Sequence, residues 1–250
     1  MAIFVLVHGA WHGGWCWTKV EAALRELGHE THAPTLTGLG ERSHLLTEDI
    51  VSDTHVEDIV NVLKWRELTG VILVGHSYGG TIITGAASTV PEKIRALAYL
   101  DAFAPEVSNQ SLFATANPKR MAAFQKQIDA GAIALEPDDA MQTWTDDPAT
   151  MKWLKRQCTP QPKATLLSGV TLTGREKEVR HRHYIVAERN RTSPFWAEYL
   201  RLKAKDGWTS ERINTLHDAM IEAPDELAAR LDAYATSIEP NHSESKTVVP

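Results

Sequence analysis

Ser77 sits inside Gly75-His76-Ser77-Tyr78-Gly79, directly after the apolar run Val71–Val74 and directly before the helix-like stretch Gly79–Ser88. Gly-x-Ser-x-Gly between a buried strand and a helix is the pattern of a nucleophile on a tight strand-to-helix turn. Such a turn strains the serine backbone and leaves no room for side chains two residues to either side. It lifts the hydroxyl clear of the sheet and sets it at a helix N-terminus, where the dipole and free N–H groups favour developing negative charge. The chemistry this allows is attack on a carbonyl carbon. The five-residue pattern is weak by itself, because small residues recur often. Its place between strand and helix makes it specific.

A serine hydroxyl is a poor nucleophile without a base. On this scaffold the partners follow in the order Ser, acid, His, so the base belongs near the C-terminus. His217, in "INTLHDAMIEAPDELA", lies there on a loop before a helix. His8, His12, His29, His32, His44 and His55 precede the serine. His76 lies within the turn and is expected to point away, and His181 and His183 open a strand. Donors for a tetrahedral oxyanion are needed as well. The N–H of Tyr78 is one. The second is expected from Ala10, in the loop "HGAWHGGW" after the first strand, where Gly9, Gly13 and Gly14 let backbone approach a substrate. Asp101 closes an otherwise apolar strand, a costly place for a carboxylate unless it is paired. It is therefore a candidate acid, although capping of local backbone would also explain it.

The elements that must position these residues alternate. Ile3–Gly9 reads as a continuous apolar strand, and Trp17–His29 as a helix with Val20, Ala23, Leu24 and Leu27 on one face and Gly28 as its stop. His29–Leu36 is a second strand candidate. Asp53–Trp65 is a helix burying Val56, Ile59, Val60 and Leu63, and Gly70–Ser77 and Ile94–Phe103 are strands around the helix Gly79–Ser88. Strands apolar throughout imply a sheet covered on both faces, and alternation with helices implies a doubly wound, mostly parallel α/β sheet. From Pro105 to Lys177 the rhythm breaks into helical pieces, Pro118–Gly131 and Asp147–Cys158, with no clear strand. It returns with a strand over His183–Asn190, a helix over Pro194–Gly207, a short strand over Ser210–Leu216 and a last helix over Ala223–Ala235. The expected organisation is one catalytic domain over residues 1–240, with a helical cap inserted at about 105–177 and a disordered polar tail at 241–250.

At 250 residues, 43% of them hydrophobic, the chain suits one large domain with a sizeable core. A net charge of -6 without long charged blocks offers no electrostatic reason to expect nucleic acid or an anionic membrane. The one basic cluster, Arg180–His183, reads as a solvated loop. Cys16 and Cys158 are too few for a disulfide framework and form no metal-binding pattern; they are expected to be reduced thiols in a cytoplasmic protein. The apolar start "MAIFVLVHG" lacks a basic lead and reads as a strand, not as a signal peptide.

In order along the chain, "LVHGAWHGGWCW", "LTGLGERSHL", "LVGHSYGG", "YLDAFAP" and "HDAMIEAPDELA" resemble an α/β-hydrolase over about residues 3–235. More narrowly, they resemble the branch of plant methyl-ester esterases, hydroxynitrile lyases and small bacterial esterases acting on pyrethroid-type esters and benzimidazole carbamates. The resemblance implies Ser77 as nucleophile, His217 as base, Ala10 and Tyr78 as oxyanion donors, and no metal or organic cofactor. Plant members place the acid after the strand that precedes the histidine, and there this chain has Asn190. Glu188 is close by and is the alternative acid. Asp101 is favoured, because certain haloalkane dehalogenases carry their acid at that strand end. Hydroxynitrile lyases of the branch carry a lysine after the catalytic histidine and a threonine in the first oxyanion loop; here those positions are Asp218 and Gly9, which favours hydrolysis.

The function expected is therefore cleavage of a small, apolar or aromatic carboxylic ester or carbamate through an acyl-enzyme. A cyanohydrin lyase and a non-catalytic ligand receptor are the alternatives, since fold alone does not decide between them. Trp11, Trp144 and Trp153 are candidate pocket residues, with Met121, Phe124, Met141 and Met151 as further apolar candidates in the cap.

Overall fold

Six segments form one sheet in which every pairing is parallel: β1 (Ile3–Val7), β2 (Glu30–His32), β3 (Val71–His76), β4 (Ile94–Leu100), β7 (His181–Ala187) and β8 (Trp208–Ile213). Their order across the sheet is β2-β1-β3-β4-β7-β8. The chain thus runs from β1 to one side and then crosses to β3 on the other. The crevice at such a reversal, beyond the carboxyl ends of the strands, is where open α/β sheets bind ligands. The loop after β1 and the turn after β3 both open into it.

The continuous apolar character of β1, β3 and β4 follows from burial on both faces. Phe4, Leu6, Ile72 and Val74 point to the side covered by α1 (Thr18–Glu26) and the last helix (Pro224–Ser237), through Val20, Leu24, Leu227 and Leu231. Val5, Val7 and Leu73 point to the side covered by α2 (Ser52–Trp65) and α3 (Gly79–Thr89), through Ile59, Leu63, Ile82 and Ile83.

The structure is a computed structural model describing residues 1–112, 118–137 and 139–238, so the tail expected at 241–250 lies outside the described residues. Between β4 and β7 run α4 (Pro118–Asp129), α5 (Pro148–Gln157) and α6 (Lys163–Leu167). At the start of α5 the Asp147 side chain accepts the Thr150 N–H at 2.7 Å, with Pro148 preset for the first turn. Contrary to the expectation of no strand here, β5 (Ala134–Leu135) pairs antiparallel with β6 (Gln161–Pro162). Two residues per strand carry no period to read.

Two other boundaries differ from the sequence reading. Arg180–His183 is not a solvated loop: β7 begins at His181, and the buried His183 ring meets Thr209 Oγ1 at 2.7 Å and Glu211 Oε1 at 2.9 Å. β7 also ends at Ala187, which leaves Glu188 beyond the strand. The polar His183 is satisfied by partners on β8 that local composition does not reveal. No helix among the described residues is long and apolar enough to cross a membrane.

Candidate active site

Ser77 has φ 53, a left-handed conformation rare for a side chain with a Cβ. Its N–H donates to Leu100 O at 3.2 Å, and its carbonyl accepts from Phe103 at 3.2 Å, so the end of β4 holds the turn. A Cβ at Gly75 would lie 2.6 Å from Gly79 O, and one at Gly79 would lie 2.5 Å from Val7 O. The two glycines are therefore required by close backbone approach, as the spacing around Ser77 implies.

Asp101 follows β4 directly, also with a left-handed φ of 40, and is 2% exposed. Its N–H donates to Ile185 O at 2.7 Å, while Oδ1 accepts the Ala187 N–H at 3.1 Å. Oδ2 lies 2.7 Å from His217 Nδ1. Burial pushes the Asp101 carboxyl above its ordinary value, opposed by the His217 and Ala187 bonds. A carboxylate only accepts, so with Asp101 ionised His217 carries its proton on Nδ1 and presents a lone pair on Nε2.

His217 is held from several sides. Its N–H donates to Thr143 O at 3.3 Å, and its ring stacks on Phe195 at 4.7 Å with an 8° interplanar angle. His76 does not point away, contrary to the sequence reading. Its Nε2 donates to His217 O at 3.1 Å, its ring lies 4.5 Å from the His217 ring, and burial pushes its pKa well below the ordinary value. His76 is thus a neutral brace. A histidine within the turn carries no sequence mark for that role, because its partner is 141 residues away.

Ser77, His217 and Asp101 line a single cavity of about 730 Å³, together with Ala10 and Tyr78. Among the described residues neither the Ala10 nor the Tyr78 N–H donates to a protein acceptor. The Tyr78 side chain is turned elsewhere, its hydroxyl 2.9 Å from His55 Nδ1. Of the candidate pocket residues, Trp11, Trp144 and Phe124 line the cavity, and Phe103 and Phe195, which the sequence did not mark as pocket residues, line it as well. Trp153 does not: it packs edge-on against Trp15 at 5.1 Å. Met121, Met141 and Met151 are likewise not in the lining. Helical periodicity marks a residue as inward-facing without saying whether inward means cavity or core.

Glu188 meets Arg191 at 3.3 Å and Arg212 at 3.2 Å, not His217. Asn190 lies at the cavity wall. His12, Asp218 and Gln161 were not singled out as site residues by sequence reasoning. Gln161 Oε1 accepts the Trp11 N–H at 3.0 Å and so ties the loop after β1 to β6. His76, His217 and Asp218 bring potential metal-ligating atoms within 4.8 Å of one another. An ion there would occupy the histidine that Asp101 orients, and so would oppose a histidine base.

The profile of the alpha/beta hydrolase family matches residues 4–230. A protein of Nocardioides sp. (strain SG-4G), named carbendazim hydrolyzing esterase, is 41% identical over 243 residues, covering 93% of this chain and 99% of its own. Methylesterase 7 of Arabidopsis thaliana is 38% identical over 108 residues, 42% of each chain. Among solved structures, an extracellular alpha/beta-hydrolase from a Paenibacillus species superposes with a TM-score of 0.80 at 21% identity, covering 94% of this chain and 99% of that one. The parallel sheet, the serine at its reversal point and the matched profile agree: the chain belongs to the alpha/beta hydrolase family.

Proposed function

We propose that this protein is a serine hydrolase of small carboxylic esters or carbamates, with Ser77 as nucleophile, His217 as base and Asp101 as acid. The observation that carries the reading is the 2.7 Å contact between His217 Nδ1 and Asp101, made at the wall of the cavity that also holds Ser77. The relatives named as a carbendazim-hydrolysing esterase and as a methylesterase support the substrate class.

In the first half-reaction the Ser77 hydroxyl proton passes to His217 Nε2 as Oγ bonds to the carbonyl carbon. Asp101 stabilises the imidazolium that forms. The Ala10 and Tyr78 N–H groups receive the oxyanion. Collapse breaks the bond to the leaving oxygen or nitrogen, which takes the proton from His217 and leaves an acyl- or carbamoyl-serine. Water then attacks with His217 again as base, releasing the acid and restoring Ser77. The aromatic wall of Trp11, Phe124 and Trp144 favours a flat or apolar substrate.

Lyase chemistry on the same residues is disfavoured at Gly9. A Cβ there would lie 2.8 Å from His76 Nδ1 and 3.0 Å from Ser77 Cβ, so a threonine does not fit without displacing the turn. The test is a turnover panel of p-nitrophenyl esters, aryl methyl esters and aryl carbamates, run with the wild type and Ser77→Ala. Hydrolysis that depends on Ser77 supports the reading; no hydrolysis of any of them by the wild type, or equal hydrolysis by both proteins, overturns it.

A further inference from the structure

The loop that carries Ala10 is gripped by two histidines outside the proposed proton-transfer steps, and their partners dictate opposite protonation. His8 Nδ1 lies 2.8 Å from Gly9 O, which only accepts, while the Leu36 N–H donates to His8 Nε2 at 3.0 Å. His8 is therefore neutral with its proton on Nδ1, in keeping with burial, which lowers its pKa to about 3. His12 is different. Its Nδ1 lies 2.8 Å from Ala10 O and its Nε2 lies 3.2 Å from Asp218 Oδ2. With Asp218 ionised, both partners are acceptors, so the ring donates at both nitrogens and His12 is an imidazolium. Burial alone would lower its pKa, but the Asp218 charge and hydrogen bond raise it above the ordinary value.

The pair is 1% and 0% exposed, and the His12 ring lies between Trp15, stacked at 5.3 Å, and Trp144 at 5.0 Å. Asp218 directly follows His217, and its N–H donates to Trp144 O at 3.1 Å. One short chain of contacts thus runs from the Ala10 peptide through His12 and Asp218 to the backbone of His217. A buried ion pair adds little net stability relative to a well-packed apolar pair. What its charge-assisted bonds do supply is direction, at both ends of the imidazole.

We propose that His12 and Asp218 are a positioning pair that locks the loop presenting the Ala10 N–H to the loop presenting His217, so that oxyanion donor and base keep one mutual geometry. The pair acts through Ala10 and His217 and transfers no proton itself. The effect belongs in kcat, because a displacement of about 1 Å between catalytic groups costs on the order of a hundredfold in rate.

The inference rests on the serine-hydrolase reading, and the test separates the two. Wild type, Ser77→Ala, Asp218→Asn, His12→Gln and the double variant are assayed on p-nitrophenyl acetate, with active sites counted by a fluorophosphonate. Inhibition by an aryl trifluoromethyl ketone, whose hemiketal oxyanion mimics the tetrahedral intermediate, is measured beside it. Per active site, Asp218→Asn and His12→Gln are each expected to lower kcat by about ten- to a hundredfold with KM within about twofold. Ketone affinity should fall in step with kcat/KM, and the double variant should be no worse than the poorer single one. Unchanged kcat and ketone affinity per active site in Asp218→Asn would overturn the pairing; so would multiplicative losses in the double variant. If Asp218→Asn does not fold, His12→Gln is judged by the same two readouts. Turnover surviving in Ser77→Ala sinks the hydrolase reading instead.

Discussion

His217 Nδ1 and Asp101 Oδ2 lie 2.7 Å apart although 116 residues separate them in sequence. The contact joins the end of β4 to the loop after β8, across β7, whose Ala187 N–H holds the other carboxylate oxygen. Asp101, the acid of the proposed triad, therefore meets the histidine from a strand end next to the one that plant relatives are expected to use.

Asp101→Asn should cripple turnover while the protein folds. An amide can hold the wrong histidine tautomer, at a cost of about ten thousand-fold in kcat in the best-studied serine protease. Glu188→Gln should change kcat by less than about twofold, because Glu188 pairs with exposed arginines. Measuring kcat beside circular dichroism for both variants checks the assignment; near-wild-type turnover in folded Asp101→Asn contradicts it.

Ser77→Ala should lose on the order of a million-fold in kcat, as removal of the nucleophile does in a comparable serine enzyme. A fluorophosphonate should add one adduct to the wild type, mapped to Ser77 by peptide mass spectrometry. An adduct on another residue would argue against Ser77 as the nucleophile.

Gly9→Ala should cut kcat by about a hundredfold, because the new Cβ presses on Ser77 Cβ and the His76 ring. Accommodating it should also destabilise the fold by about 1–3 kcal/mol. Turnover and a urea melt read the two effects separately. Full activity at unchanged stability would mean that the turn has room the structure does not show.

Stability should decline on mild acidification. His8 and His55 are fully buried and neutral in the fold, with pKa values lowered by burial to about 3 and about 4 from 6.5. The unfolded chain therefore binds protons first. Their contribution is complete above about pH 6.5 and is lost as pH falls toward the folded values. At pH 5 each forfeits about 2 kcal/mol. His55→Gln keeps a donor for Thr37 O, which His55 Nε2 contacts at 2.8 Å, and should flatten the dependence of Tm on pH. An equally steep profile in that variant would rule out His55 as a contributor.

What the sequence by itself determined was local. The spacing of Gly75, Ser77 and Gly79 specifies a turn, because a Cβ at Gly75 would meet the backbone of Gly79 and Gly80 a few residues on, although the clash at Gly79 is with Val7 O on β1. Continuous apolar runs specify strands buried on both faces, and the order of serine, acid and histidine leaves His217 as the base candidate. Asp101 was legible for a different reason, as a charge stranded at the end of an apolar strand. Only the tertiary structure decided the rest. It separated Trp144, in the cavity wall, from Trp153, packed on Trp15, although both are aromatic residues of the same segment. It turned His76 from a residue expected to face away into a brace for His217, and it joined His12 to Asp218 across 206 residues. Such partners are chosen by how loops converge beyond the ends of parallel strands. That convergence is set by sheet order and helix packing, so no local period or spacing records it.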